Sequence, residues 1–242
     1  MISLHNVTKR ILLHGKDREV LSGVSLTIPT DRRIALLKPN EHDKLVFLHL
    51  LAGITLPTRG RVVRKARVSF PVGYLGGFSP ELSVRHNIMH VARLYRVNAA
   101  ELLAFVEQVG EFSMLLDQRF QHLPGPLKNQ LGLIIAYGIP FDVYLLPRER
   151  GRAKGNPADF QQTAMALHEM RARTCGMIVV VNNPNLARNQ YDGALILHRG
   201  RLHYFDDMEA ALSLLSKLPP DPTVWQPGRR EPQQDELEPL DT

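Results

Sequence analysis

The chain has 242 residues, of which 44% are hydrophobic, so it is long enough to bury a full core as one or two domains. Its net charge is +6, but the segment after Pro219 holds six acidic residues against two arginines, which leaves the preceding part at about +10. No apolar run reaches the roughly 18 residues of a membrane span, and the first residues lack a signal-peptide pattern, so we expect a cytoplasmic protein. No aromatic-interleaved basic stripe accompanies the positive charge, so nucleic acid is not an expected partner.

Two kinds of strand pattern occur in chain order. Apolar and polar residues alternate at residues 2–7 and 24–28, which predicts half-buried antiparallel strands forming an edge sheet. Short continuous apolar runs at residues 34–37, 143–146 and 178–181 are separated by long helical patterns, which is typical of a buried parallel sheet. The sequence therefore predicts an α/β core.

Helical patterns surround these strands. Ser83 stands where an N-cap would stand before an amphipathic helix marked by Val84, Ile88, Val91 and Leu94. Further helices are predicted at residues 100–109, 128–138 and 207–217, and one more is marked by Phe160, Met165, Leu167 and Met170. A β-hairpin is predicted at residues 194–205, and the acidic segment of residues 219–242, with six prolines, is predicted to be disordered.

The connection between the run at residues 34–37 and the next helix, predicted to begin at Lys44, has the layout of a phosphate-binding loop. Such loops read G-x-x-x-x-G-K-[ST], where glycines let backbone amides cradle phosphates, lysine reaches them and a hydroxyl binds magnesium. Here Lys38 and Asp43 replace the glycines and Leu45 replaces the hydroxyl, so Lys44 alone is kept. The loop has the shape of a phosphate site without most of its chemistry.

The charges of this loop also oppose phosphate binding. Glu41 and Asp43 place negative charge where phosphates would lie, and we expect them to pair with Lys38 and Lys44. Two interpretations of Lys44 remain open at this point. It is either a vestigial nucleotide ligand or a solvated lysine at the start of a helix.

Residues 69–95, with the central run Gly76-Gly-Phe78-Ser-Pro, resemble the Q-loop and following helix of one family. The family is the ATP-binding subunits of ABC transporters, most closely those that export capsular polysaccharide or O-antigen. The resemblance covers about residues 1–215. It implies an α/β P-loop NTPase-like ABC ATPase fold with a parallel-sheet core, an antiparallel β edge subdomain and a helical subdomain at about residues 72–138. Residues 1–218 would form this single ABC ATPase-like domain.

The resemblance also implies where the chemistry of the family would lie, and this chain departs from the pattern there. Ser79 stands for the Q-loop glutamine, Pro126 for a glycine of the signature motif, and Asn182 for the switch histidine. Pro147 and Arg148 stand where a magnesium-binding aspartate and a general-base glutamate would follow a strand. We therefore expect no catalytic residue and no metal site. The cofactor would be absent, or would be ATP held weakly without a functional magnesium site.

Together these features predict a catalytically degenerate nucleotide-binding subunit, a pseudo-ATPase, in an exporter of capsular polysaccharide or O-antigen. It would be a structural or regulatory partner of an integral membrane permease at the inner face of the cell membrane. It would act as a homodimer or as a heterodimer with an active ATPase subunit. The residues expected to contact the permease are Gly77, Phe78, Ser79 and Arg85. Two alternatives remain: an active ATP-hydrolysing exporter subunit, and a soluble scaffold or regulator that no longer binds a transporter.

Overall fold

The computed structural model describes residues 1–13, 16–37, 40–148 and 158–219. Its strands are β1 (Ile2–Leu13), β2 (Lys16–Ile28), β3 (Arg33–Leu37), β4 (Arg59–Arg64), β5 (Val68–Pro71), β6 (Val143–Leu146), β7 (Gly176–Val181), β8 (Gly193–His198) and β9 (Arg201–Phe205). Its α-helices are α1 (Glu41–Ala52), α2 (Val84–Leu94), α3 (Ala99–Gly110), α4 (Gly125–Gly138), α5 (Ala158–Ala172), α6 (Pro184–Ala187) and α7 (Met208–Lys217). Two short 3-10 turns, Ser113–Leu115 and Phe120–His122, precede α4.

The central sheet has six strands in the order β5-β6-β7-β3-β8-β9. Strands β6, β7, β3 and β8 pair in parallel, and β9 closes the sheet as the antiparallel arm of a hairpin with β8. Along β3, Ile34 and Leu36 pack with α1 and the antiparallel sheet, while Ala35 and Leu37 pack with the opposite layer. Because both faces are covered, these strands read as continuous apolar runs, and the predicted parallel core is confirmed.

The second sheet is antiparallel, with the order β2-β1-β4. Its first two strands, 12 and 13 residues long, are about twice as long as predicted. The register of β1 against β2 shifts between Leu4 and Arg10, which breaks the alternation from which strand length was inferred. Strand β4 was not predicted because its sequence, Arg-Gly-Arg-Val-Val-Arg, carries charge on an edge strand and hides the apolar pattern.

Six of the seven α-helices in the described residues were predicted from the sequence, and the four-residue α6 was not. Ser83 caps α2 as predicted, because its side chain accepts a hydrogen bond from the His86 amide. Helix α1 begins at Glu41 and not at Lys44, because Asn40 is its N-cap, and α4 begins three residues earlier than predicted. In α5 only Phe160 and Leu167 of the four marker residues are buried; Met165 and Met170 are each 43% exposed.

Helices α2, α3 and α4 pack on one another and on α5, which forms the helical layer expected near residues 72–138. Among the described residues, none of the helices has both the length and the apolar character that crossing a membrane requires. The predicted disordered segment lies, from residue 220 onward, outside the described residues. Its disorder stays a prediction.

Candidate functional site

The carboxyl ends of three parallel strands meet at one edge of the central sheet. Strand β7 pairs with β3 on one side and with β6 on the other, in parallel register. The positions that follow these strands therefore lie at the same edge. Pro147, which is half-buried, and Arg148, which is exposed, follow β6; the exposed Asn182 follows β7. The structure thus places these positions at the same sheet edge as the end of β3.

The N-terminus of α1 at this edge is closed by its own side chains. Asn40 is the N-cap, and its Oδ1 accepts a hydrogen bond from the Asp43 amide at 2.7 Å. In return, Asn40 Nδ2 donates to Asp43 Oδ2 at 2.7 Å. This reciprocal pair resembles a capping box, with the difference that Asp43 accepts its bond from the side-chain amide of the cap instead of from the cap's backbone N–H. Asp43 is consequently only 5% exposed.

A third residue, Arg18 of β2, completes the arrangement. Its Nε and Nη2 donate to the two carboxylate oxygens of Asp43, each at 2.8 Å. Sequence reasoning missed Arg18, because the contact spans 25 residues and depends on β2 passing over the start of α1. Two planar hydrogen bonds to one carboxylate make this a directional ion pair. The structure gives Asp43 an arginine and an asparagine as partners, neither of which was foreseen. The predicted pairing of Glu41 and Asp43 with Lys38 and Lys44 involves residues outside the described part of the chain and stays a prediction.

The other residues of the predicted phosphate loop have mixed outcomes. Lys44 is 5% exposed, so its interpretation as a solvated lysine is wrong. Leu45 is half-buried. Lys38 and the side chain of Glu41 lie outside the described residues. The loop residues that the structure does describe are therefore packed into the protein rather than presented to solvent.

The opposite end of α1 is bonded to the same antiparallel sheet. Arg64 of β4 donates from Nε to the Leu51 carbonyl at 2.7 Å and from Nη2 to the Leu50 carbonyl. These are carbonyls of the last helical turn, which carries the negative end of the helix dipole; the Leu50 carbonyl also accepts a hydrogen bond from the Gly53 amide at 3.3 Å. Burial lowers the pKa of Arg64. Helix α1 is thus held to the antiparallel sheet by one arginine at each end.

A second candidate feature is an apolar cavity of about 160 Å³ between α1, β5 and α2. Its lining residues are Ile54, Phe70, Tyr74, Gly76, Gly77, Phe78, Val91, Leu94 and Tyr95. Two of the residues predicted to contact a permease, Gly77 and Phe78, are among them. The Phe78 ring packs on Phe120 at 5.1 Å between centroids, which fixes one wall of the cavity to the turn before α4.

The loop beside this cavity is organised by Asn87, which is fully buried in α2. Its Oδ1 accepts a hydrogen bond from the Ser79 amide at 2.8 Å, and its Nδ2 donates to the carbonyls of Ser79, Leu82 and Ser83. Ser79 thus takes part through its backbone. Arg85 contacts Asp117 at 3.0 Å, and this hydrogen bond raises the pKa of Arg85.

Tyr74, one of the residues that line the cavity, also contacts helix α1. The rings of Tyr74 and His49 meet edge to face, with centroids 4.8 Å apart. Burial lowers the pKa of His49 to about 4 and raises the pKa of Tyr74. Both side chains are therefore neutral near pH 7, and the contact carries no ionic character.

The start of α4 is the last predicted motif position. Pro126 is exposed in the first turn of the helix, where a proline is tolerated because its missing N–H would have no intrahelical acceptor. The helix has no side-chain cap. Within residues 1–13, 16–37, 40–148 and 158–219, no group of three or more His, Cys, Asp and Glu residues is placed to hold a metal ion.

The fold of the chain is the one found in ABC-type ATPase cassettes. It superposes on an ATP-binding cassette solved as a dimer with ADP and phosphate, with a TM-score of 0.62, 17% identity, and coverage of 84% of this chain and 98% of that one. It also superposes on a metal-chelate-type ABC transporter in an inward-facing conformation, with a TM-score of 0.59, 16% identity, and coverage of 90% and 89%. The expected fold class is confirmed.

By sequence, the chain is a homologue of the ATP-binding subunits of ABC exporters for capsular polysaccharide and O-antigen. It is 28% identical to the capsule polysaccharide export ATP-binding protein CtrD of Neisseria meningitidis, over 90% of this chain and all of that protein. It is 25% identical to the ATP-binding protein BexA of Haemophilus influenzae, over 87% and 96%. It is 25% identical to the O-antigen export protein RfbB of Klebsiella pneumoniae, over 84% and 83%. No family model matches the chain.

Proposed function

We propose that this chain is a catalytically degenerate nucleotide-binding subunit, a pseudo-ATPase, of an ABC exporter for capsular polysaccharide or O-antigen. It docks on an integral membrane permease at the inner face of the membrane and serves that permease as a structural or regulatory partner. Its homology to exporter subunits over nine-tenths of its length supports the transport role. The dimeric cassette that shares its fold supports assembly as a homodimer or with an active ATPase subunit.

The residues at the carboxyl ends of the parallel strands support the proposal that the chain does not hydrolyse ATP. Hydrolysis of ATP by this fold class needs magnesium, which takes oxygen ligands in octahedral geometry, and a group that orients the attacking water. Pro147 offers no side-chain oxygen, and Arg148 brings a positive charge to a position where a general base would be needed. Leu45 replaces the remaining hydroxyl ligand, and Asn182 cannot take up a proton. Bound nucleotide, if ATP is taken up at all, lacks a functional magnesium site.

Docking is proposed at the cavity beside Gly77 and Phe78. Its lining is apolar and partly aromatic, and its volume of about 160 Å³ suits a bulky apolar side chain of the permease. Leu94 at its rim is 61% exposed, which is the condition expected of a side chain that a partner covers. Ser79 and Arg85 extend this surface along the loop that Asn87 organises and along α2.

The first experiment measures ATP hydrolysis and permease binding on the same preparation. Native membranes are solubilised, the tagged chain is recovered, and co-purifying proteins and magnesium-dependent phosphate release are determined. We expect a polysaccharide permease in the complex, with no phosphate release above background from the isolated chain and no effect of Lys44→Ala. Hydrolysis that Lys44→Ala abolishes would establish the active-ATPase alternative. Recovery of the chain without any permease would establish the soluble-scaffold alternative.

The second experiment locates the docking surface. Leu94→Asp introduces a charge at the rim of the cavity, and we expect about tenfold less permease in the complex, equivalent to about 1.4 kcal/mol. The matched control is Met114→Asp, which places the same charge at a side chain that is 94% exposed on the 3-10 turn Ser113–Leu115. Equal recovery of the permease with both variants would contradict docking at the cavity.

A further inference from the structure

Asp43 belongs to the first turn of α1, the part of a strand-loop-helix unit that would face a bound phosphate. In such units the anion sits at the helix N-terminus, because the first amide groups point at it and the helix dipole favours negative charge there. Helix α1 supplies a negative charge of its own at this point, from its third residue. Because Asp43 is 5% exposed, this charge is a fixed and buried part of the chain.

The donors that hold the carboxylate come from two separate elements. Arg18, from β2, donates a hydrogen bond to each carboxylate oxygen of Asp43 at 2.8 Å. Asn40, at the start of α1, donates a third from Nδ2 to Asp43 Oδ2 at 2.7 Å. The planar guanidinium group binds carboxylates and phosphates through the same two-point geometry. The arginine that could tie the antiparallel sheet to a bound phosphate is thus engaged with Asp43.

We propose that Asp43 is an internal substitute for a bound phosphate. Its carboxylate occupies the N-terminus of α1 and the guanidinium of Arg18, and so joins the antiparallel sheet to the core without any ligand. The same negative charge repels phosphate groups from the loop. This inference rests on the proposed pseudo-ATPase function and gives it a physical cause. The contact between Arg18 and Asp43 links the antiparallel sheet to α1, a link that a bound anion would otherwise make.

The test removes the carboxylate and asks whether an anion replaces it. Thermal unfolding of the full chain is followed with and without millimolar inorganic pyrophosphate for wild type, Asp43→Ala and Arg18→Leu/Asp43→Ala. We expect the wild-type Tm to be insensitive to pyrophosphate. We expect Asp43→Ala to unfold roughly 5–15 °C lower and to recover part of this loss as pyrophosphate is added. The double variant should show no recovery, because Arg18 is the second half of the anion site.

A milder variant and a surface control complete the design. Asp43→Ser removes the charge and shortens the side chain, which leaves room for an anion beside Arg18, so it decides the question by the same measurement if Asp43→Ala does not fold. Glu209→Ala breaks an exposed ion pair with Arg188, 3.3 Å apart, and should change neither the Tm nor the response to pyrophosphate.

Two results would overturn the proposal. One is a wild-type chain that pyrophosphate stabilises as much as it stabilises Asp43→Ala. The other is a folded Asp43 variant that pyrophosphate leaves unchanged. Neither result bears on the proposed function. That function is tested by permease recovery and phosphate release, and neither of those experiments uses an Asp43 variant.

Discussion

At the scale of single residues, His49 is a half-buried histidine of α1 that contacts Tyr74, one of the residues that line the cavity. Its ring lies against Tyr74, with centroids 4.8 Å apart, and burial lowers its pKa to about 4. A histidine in the unfolded chain titrates near pH 6.5. Protonation at this position therefore takes place at different pH values in the folded and unfolded states, which couples it to stability.

The first prediction follows from the sign of that difference. Below about pH 6.5 the unfolded state binds the His49 proton and the folded state does not until about pH 4, so stability falls as the pH is lowered through this window. At pH 5 the loss attributable to His49 is about 2 kcal/mol. Urea unfolding at pH 7.5 and pH 5 measures it, and His49→Phe should lose less stability than wild type by this amount. Parallel losses in the two proteins would refute the assignment.

The same scale marks the limit of sequence reasoning at the site. The departures at Pro147, Arg148 and Asn182 were assigned by the family resemblance, and the paired strands place these positions at one edge of the sheet, while their roles stay a prediction. The burial of Lys44 and its neighbour Asp43 was not foreseen, because it depends on β2 lying over the start of α1. Contacts between distant elements leave no periodic trace in the sequence, whereas strand and helix faces do.

At the scale of elements, the pairing of β1 with β4 depends on one irregular point. The register of β4 against β1 shifts between His5 and Thr8, and Asn6 within this bulge has a positive φ of 49°. Gly60 of β4 faces the bulge with a φ of 81°. An added Cβ at Gly60 would stand 2.2 Å from the Asn6 carbonyl oxygen. The bulge and the glycine are therefore complementary, and they explain why neither the length of β1 nor the presence of β4 was predicted.

The second prediction compares two glycine substitutions. Gly60→Ala should lower the free energy of unfolding by about 3 kcal/mol or more, because the left-handed backbone and the collision with Asn6 both oppose it. The matched control is Gly73→Ala, where φ is 89° and no atom lies within 4 Å of the added Cβ. This control should lose only about 1–2 kcal/mol, the cost of the backbone conformation. Equal losses in chemical denaturation would show that the close approach is unimportant.

The elements that the sequence predicted well share one physical property. Strands β3, β6 and β7 are covered on both faces, so every side chain is apolar and the pattern is unmistakable. Helix α2 has a buried face and a capping serine, and its bounds were correct. The starts of α1 and α4 were placed too late because their first turns are polar or contain proline, which apolar periodicity does not detect.

At the scale of the whole molecule, the two sheets and the helices are joined by protein contacts at the places where a nucleotide would otherwise lie. Arg18 reaches from the antiparallel sheet to the start of α1, at the edge where β3, β6 and β7 end. The pseudo-ATPase proposal therefore has a consequence for global stability. Nucleotide should not be needed for the chain to keep its fold.

The third prediction tests this directly. A nucleotide present at 100 times its Kd would stabilise the fold by about 2.7 kcal/mol, which for a domain of this size raises Tm by roughly 5–10 °C. We expect millimolar magnesium-ATP to leave the Tm of wild type and the Tm of Lys44→Ala essentially unchanged, each compared with the same protein without nucleotide. A rise of several degrees that depends on magnesium and is lost in Lys44→Ala would instead identify a working nucleotide site.

The attachment of α1 at both ends also has a mechanical consequence. Tyr74 in the cavity wall contacts His49 in the last turn of the helix, while Arg18 and Arg64 bind its two ends to the antiparallel sheet. Helix α1 is therefore bound to the antiparallel sheet at both ends and contacts the cavity lining through its last turn. A side chain that entered the cavity and moved Tyr74 would therefore move α1 and, through Arg18 and Arg64, the antiparallel sheet.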